Sequence, residues 1–157
     1  MTGLDVLRRC AAYEKDMERL RTQRALAYDA ATRITAQMGG GGGGRSQEIS
    51  AKPERFALAA QWLDRRMDAR RAMYALELSE AARLLSDMEP ATCEALRLTM
   101  IAGLTAPQAA EAMRRTQDSV RGMLRRGRNE LRQKESELPQ DMDYREMDRR
   151  FKQRTPP

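Results

Sequence analysis

The sequence predicts an all-α protein, in which a long antiparallel helical hairpin of the coiled-coil type is followed by three shorter helices. Three observations predict this fold. Alanine, leucine, arginine, glutamate and methionine dominate the 157 residues, whereas valine, isoleucine and threonine, which favour strands, are sparse. Apolar residues recur at spacings of three and four instead of alternating. Aromatic residues make up only 4% of the chain, so one large globular core is not expected.

The first long helix is predicted ahead of a run of glycines. A stripe of residues with alternating spacings of four and three forms a heptad seam there, and Leu4 and Leu7 extend it upstream. Arg24 is the one charged member of the seam. The stripe consists of Tyr13, Met17, Leu20, Arg24, Ala27, Ala31, Ile34 and Met38.

Six consecutive glycines, Gly39–Gly44, interrupt this pattern. Each glycine costs about 1 kcal/mol in a helix relative to alanine, so residues 39–50 are predicted to form a flexible loop. We interpret the loop as the tip of a hairpin, with an engineered linker as the alternative. A second stripe of the same spacing predicts a second long helix, and it consists of Phe56, Ala60, Leu63, Met67, Arg70, Tyr74, Glu77, Ala81, Leu84 and Met88.

Residues 1–88 are therefore predicted to form a helical hairpin. An isolated amphipathic helix cannot bury its apolar stripe, and the other helix, folded back through the loop, is the nearest partner. Charged residues in a heptad seam set register or oligomeric state rather than add stability. Arg24 and Arg70 occupy such positions, so a homo-oligomer formed through the hairpin is expected, with the number of chains left open.

Residues 89–135 are predicted to form three helices with the spacing of a helix-turn-helix. Pro90 suits the first turn of a short helix that stops at Gly103. Thr105 and Gln108 are spaced as a capping box and begin a second short helix. The small residues that follow would let the next helix approach closely. A brief turn then leads into a third helix.

The third helix is the longest and most basic of the three, which is typical of the helix that enters the major groove of duplex DNA. Thr116 caps it, and its predicted buried residues are Val120, Met123, Leu124, Gly127 and Leu131. The residues predicted to face base edges are Gln117, Asp118, Ser119, Arg121 and Gly122. Those predicted to meet phosphates or to line the turn are Arg114, Arg115, Thr116, Arg125, Arg126, Arg128 and Arg132. The alternatives are that Gln117 and Ser119 are ordinary first-turn residues and that Asp118 complements the helix dipole.

The net charge of the chain is concentrated in this region. Residues 114–134 contain eight basic and two acidic residues, so their net charge of +6 equals that of the whole protein. A uniformly basic surface would indicate solubility, whereas one helix with the entire excess indicates a binding face for a polyanion. A merely solvated basic face is the alternative.

Several classes of function are not expected from the composition. The chain has no histidine and two widely separated cysteines, Cys10 and Cys93, so we expect no metal or other cofactor, no enzyme activity and a reducing, cytoplasmic location. No apolar run of 18 residues occurs, so no membrane association is expected. Pro139 stops the third helix, and residues 136–157 are predicted to be a flexible tail whose acidic pairs are solvated.

Three segments carry a resemblance to a known family: Cys93–Leu98, Gly103–Met113 and Thr116–Leu131 resemble region 4 of sigma-70-type factors. With the two long helices in front, the chain resembles small phage and prophage proteins, the RinA/ArpU-like late-gene transcription regulators. In those proteins a helical hairpin with a Ser/Gly-rich loop precedes the helix-turn-helix. The resemblance implies binding to double-stranded DNA and transcriptional activation, with RNA polymerase as a partner by analogy of fold.

The chain departs from the family pattern at three places. The family has arginine and tyrosine where Thr99 and Met100 stand here, an isoleucine near Ala109, and a glycine at the position of Arg114. A residue other than glycine costs about 1–2 kcal/mol in a left-handed turn, so a turn of different shape is expected.

Two other functions are compatible with the residues. A small-terminase-like DNA-packaging protein also joins a helix-turn-helix to helical oligomerisation elements. A helical adaptor would use the basic helix to bind an acidic protein. The leading prediction is a phage transcription regulator that binds DNA through Arg114–Arg132.

Overall fold

The computed structural model describes residues 1–38 and 46–138, with side chains for residues 1–33 and 54–138. The predicted glycine loop from Gly39 to Gly44 and the tail from Pro139 onward lie outside the described residues. So do the side chains of Ile34 and Met38 in the first predicted stripe. Within the described ranges no helix is long and apolar enough to cross a membrane.

The structure confirms the all-α prediction. The helices are α1 (Gly3–Met38), α2 (Ser46–Ser86), α3 (Pro90–Leu96), α4 (Ala106–Ala112) and α5 (Gln117–Gln133), and a π-helical turn, Arg97–Ile101, continues α3. Among the described residues, β-type backbone pairing occurs only at one isolated bridge, between Thr2 and Glu135. Residues 46–50 are helical, which corrects the prediction of a loop over 39–50, because helix-compatible residues resume once the glycines end.

The chain divides into two compact units. The first unit comprises Met1–Tyr13 and, of the later described residues, 72–138; the second is Glu14–Arg71. In the second unit α1 and α2 run antiparallel, because Asp16 pairs with Arg70 and, further along α1, Arg24 pairs with the earlier residue Asp64. The buried apolar residues between them are Met17, Leu20, Ala60, Leu63 and Met67, as the heptad stripes predict.

The first unit has one apolar core to which every helix contributes. The beginning of α1 and the end of α2 are antiparallel there as well, since the Tyr13 and Tyr74 rings stack with centroids 3.9 Å apart and Leu84 packs against Gly3. The three short helices share this core, whose members lie on both sides of the predicted boundary at residue 88. They are Leu4, Val6, Leu7, Cys10, Ala81, Leu84, Leu85, Met88, Ala95, Leu96, Ala109, Ala110, Val120, Met123, Leu124 and Leu131.

The segment after α5 is fastened to the same unit. The Gly3 amide donates to the Lys134 carbonyl (2.8 Å), and the Ser136 amide donates to the Met1 carbonyl (2.9 Å). The Glu137 amide donates to Glu80 Oε1 at 2.8 Å. The prediction of a loose tail from residue 136 is thus wrong for residues 136–138, because the Met1 carbonyl and the buried Glu80 carboxylate accept from the amides of Ser136 and Glu137, and the Ser136 hydroxyl accepts from the Leu138 amide.

Candidate nucleic-acid interface

Helix α4 begins with the predicted capping box. The Gln108 amide donates to Thr105 Oγ1 (3.4 Å), and the Thr105 amide donates to Gln108 Oε1 (2.9 Å), so two amides at the helix start are satisfied reciprocally. Ala109 and Ala110 are buried against α5. Their small side chains allow the two helices to approach closely, as the sequence predicts.

The turn between α4 and α5 contains a residue with a left-handed backbone conformation. Arg114 has φ of 52°, so the turn has the left-handed conformation usually taken by glycine, and the expected change of shape is not observed. The Arg114 amide donates to the Glu111 carbonyl (3.0 Å) and the Arg115 amide to the Ala110 carbonyl (2.9 Å). These bonds satisfy carbonyls at the end of α4 and fix the path of the chain into α5.

Helix α5 is anchored by its cap and by its apolar face. The Ser119 amide donates to Thr116 Oγ1 at 3.3 Å, as predicted for the cap. Gly127 lies against α3, where a Cβ would stand 2.7 Å from Leu96 Cδ1 and 2.8 Å from Thr92 Cγ2. The predicted buried residues of α5 are all buried: Val120, Met123, Leu124, Gly127 and Leu131.

The opposite side of α5 carries a line of exposed arginines. At 100° per residue, spacings of four, three and four place Arg121, Arg125, Arg128 and Arg132 within one narrow sector, here called the basic stripe. Gln117 begins the same sector one turn earlier. Among the described residues no carboxylate pairs with Arg125 or Arg128. The basic stripe is thus a surface of largely uncompensated positive charge.

The remaining predicted residues are distributed around this stripe. Asp118 is 95% exposed and lies 3.7 Å from Arg121 Nη1, so it offsets part of the charge at the amino-terminal end of the stripe. Arg114, Arg115, Thr116 and Arg126 are exposed. Ser119 and Gly122 are half-buried, and Ser119 lies on nearly the opposite side of α5 from Arg121, away from the stripe.

Lys134 is one of the eight basic residues of the segment 114–134, and it has a structural role that the sequence did not indicate. Lys134 Nζ donates to the Leu84 carbonyl at 2.9 Å and lies 3.1 Å from Glu130 Oε1. Leu84 is fifty residues earlier in the chain, so no local pattern marks this contact. Lys134 therefore fastens the end of α5 and does not extend the basic stripe.

The described residues contain no group of three or more cysteine, aspartate or glutamate side chains placed to hold a metal ion. A surface groove of about 400 Å³ in the second unit is lined by Arg21, Arg24, Ala25, Asp64, Met67, Asp68 and Arg71. Its three arginines are ion-paired with neighbouring carboxylates. The groove is a network of charge pairs and gives no indication of a reactive group.

The arrangement as a whole is two short helices, a tight turn and a longer third helix that turns its apolar face inward and its arginines outward. The resemblance to sigma region 4 rests on Cys93–Leu98, Gly103–Met113 and Thr116–Leu131. No family model, curated protein or solved structure matches this chain.

Proposed function

We propose that this protein is a non-enzymatic phage or prophage transcription regulator that binds duplex DNA through α5. The observation that carries the proposal is the basic stripe, Arg121, Arg125, Arg128 and Arg132, exposed on the third helix of a helix-turn-helix whose opposite face is fully packed. DNA phosphates attract such a surface whatever the base sequence of the duplex. The packed core beneath the stripe fixes the position of the helix that carries these arginines.

Within this proposal the two ends of α5 have different tasks. The amino-terminal part of α5 enters the major groove, where Gln117, Asp118 and Arg121 read base edges and Gly122 allows close approach. The later arginines of the stripe bind phosphates and set the position of the module on the duplex. Half-buried Ser119 acts through its amide, which closes the cap on Thr116.

The first test is a double charge reversal, Arg121→Glu with Arg125→Glu. We expect loss of duplex binding in a gel-retardation assay, with unchanged helicity by circular dichroism, because both side chains are exposed. The matched control is Arg55→Glu with Arg65→Glu, which makes the same charge change at exposed positions of α2. Equal binding by the first pair and the wild type would contradict the proposal.

The second test is the dependence of affinity on salt. Each phosphate contact releases about 0.9 counterion, so the three later arginines of the stripe, Arg125, Arg128 and Arg132, predict a slope of roughly −2.7 in a plot of log affinity against log salt. A flat response would favour the helical adaptor that binds an acidic protein. Selection of a preferred sequence from random duplexes then measures base reading separately from phosphate binding.

Self-association is the second part of the proposal. Leu58 and Trp62 lie one turn apart on α2 and remain 63% and 54% exposed, which supports a contact with a second copy of the chain.

A mass measurement separates the two phage roles. A monomer or dimer would agree with a regulator, whereas a closed ring of about eight or more chains would favour DNA packaging. RNA polymerase is proposed as a partner only on the resemblance.

A further inference from the structure

Two residues of the described chain have a left-handed backbone, and they differ in kind. Gly103, between the π-helical turn and α4, has φ of 74°, and Arg114, between α4 and α5, has φ of 52°. Glycine adopts this conformation without steric cost, whereas a side chain with a Cβ is strained in it. The fold thus has glycine at one such position and a long cationic side chain at the other.

The strain at Arg114 is not offset by a contact of its side chain within the described structure. Glu111 lies three residues earlier, at the spacing of a helical ion pair, but it bonds the Arg114 amide through its backbone carbonyl and forms no ion pair with the guanidinium. The Arg114 side chain is exposed, and so is that of Arg115. Packing therefore gives no reason for an arginine at this position.

We propose that Arg114 is a positioning residue that binds a DNA phosphate and that its strained backbone is retained for this contact. The inference rests on the proposed function. Arg114 stands three residues before Gln117, the first residue of α5, and half or more of the hydrogen bonds between proteins and DNA go to the phosphate–sugar backbone, with arginine among the main donors. A guanidinium binds phosphate by two parallel hydrogen bonds, so a fixed backbone increases its geometric precision.

Three substitutions separate strain from charge. Arg114→Gly removes both, Arg114→Asn removes the charge at a residue type that tolerates the left-handed conformation, and Arg114→Lys keeps both. We expect Arg114→Gly to raise the midpoint of thermal unfolding by about 2–8 °C, with Arg114→Asn intermediate and Arg114→Lys unchanged.

DNA binding should follow the opposite order. Loss of one phosphate contact should lower the slope of log affinity against log salt by about 0.9, and at 0.1 M salt this amounts to about an eightfold weaker affinity for the Gly and Asn variants. The loss should be the same for duplexes of any sequence, because phosphate contacts do not read bases. Arg114→Lys should retain most of the affinity.

If Arg114→Gly binds duplex DNA with the wild-type affinity and salt slope, the inference that Arg114 contacts a phosphate is overturned. An unchanged or lower unfolding midpoint in Arg114→Gly would overturn the inference that the backbone of Arg114 is strained. These outcomes are distinguishable from a failure of the proposed function, in which the wild-type chain itself does not retard duplex DNA. If the wild type binds and the Arg121/Arg125 reversal abolishes binding, the result for Arg114 decides this inference alone.

Discussion

Gly127 of α5 packs directly on Leu96 of α3, at a distance that leaves no room for a side chain. A Cβ added to Gly127 would lie 2.7 Å from Leu96 Cδ1. The backbone of α5 thereby reaches the core of the first unit, and this contact sets how α5, with its exposed arginines, is seated on α3.

We expect Gly127→Ala to destabilise the protein. Overpacking costs about 1–3 kcal/mol, and the gain of about 1 kcal/mol from replacing a helical glycine offsets part of it. Gly122→Ala is the matched control, because its Cβ would meet only Arg126 Nη1, at 3.6 Å, so this variant should gain stability. Urea unfolding of both variants measures the difference. Equal shifts of the same sign would show that α3 and α5 are not in close contact at Gly127.

A second prediction concerns acid stability. The Arg83 guanidinium, with help from the Glu137 amide and the Ser136 side chain, lowers the pKa of Glu80 from its ordinary value near 4.5 to about 2. Because the folded pKa lies below the unfolded one, this contribution is present above about pH 4.5 and is lost as the pH falls toward 2. Because the Arg83 side chain is 47% exposed, water screens part of this interaction, and the contribution is on the order of 1 kcal/mol.

Glu80→Gln should therefore reduce the free energy of unfolding at pH 7 and bring the mutant and wild type closer together at pH 3. Urea unfolding at several pH values measures this. Glu94→Gln, at an exposed position of α3, removes the same charge and serves as the control. A mutant that differs from the wild type by the same amount at both pH values would mean that ionised Glu80 does not hold the segment after α5.

The charged seam positions of the second unit should differ in their sensitivity to mutation. Arg70 has a side chain only 5% exposed and its Nε lies 3.2 Å from Asp16 Oδ2, whereas the Arg24–Asp64 pair is nearly half exposed on both sides. Removing a carboxylate from beside a buried guanidinium costs more than removing one from a pair that water already screens. Asp16→Asn should lower stability by about 1–3 kcal/mol, and Asp64→Asn by clearly less. A larger loss for Asp64→Asn would contradict this ranking.

The single tryptophan provides a direct measure of self-association. Trp62 is 54% exposed, and Arg66 Cζ lies 4.9 Å from its ring centroid. If a second copy covers this face, the emission of Trp62 should move to shorter wavelength as the protein concentration rises. Leu58→Glu, one turn away, should abolish the shift. Constant emission in a sample that is oligomeric by mass would place the interface elsewhere.

The helices of the hairpin are predictable because their pattern is local. Alternating spacings of four and three put Met17 and Leu63 on inward faces, and any antiparallel partner of the same period buries them. The caps at Thr105 and Thr116 are equally local, since donor and acceptor are three residues apart. The segment of high positive charge is likewise evident from residues 114–134 alone.

Contacts between residues distant in the chain were not predictable in the same way. Glu80 and Glu137 are separated by 57 positions, and Lys134 and Leu84 by 50, so no periodicity relates them. The π-helical turn at Arg97–Ile101 also escaped prediction, because its side chains suit an ordinary α-helix. Thr99 Oγ1 donates to the Ala95 carbonyl there, a bond that competes with the backbone ladder.

Four features could be predicted from the amino-acid sequence alone, because each follows from neighbours within one or two turns: the all-α class, the two heptad stripes, the caps of the short helices and the excess of positive charge on α5. Three further features became evident from the folded structure: the core that the short helices share with the first residues of α1 and the last of α2, the hydrogen bonds of Ser136 and Glu137 to Met1 and Glu80, and the left-handed backbone of Arg114. These features depend on which distant surfaces meet, and burial and long-range hydrogen bonds select among them.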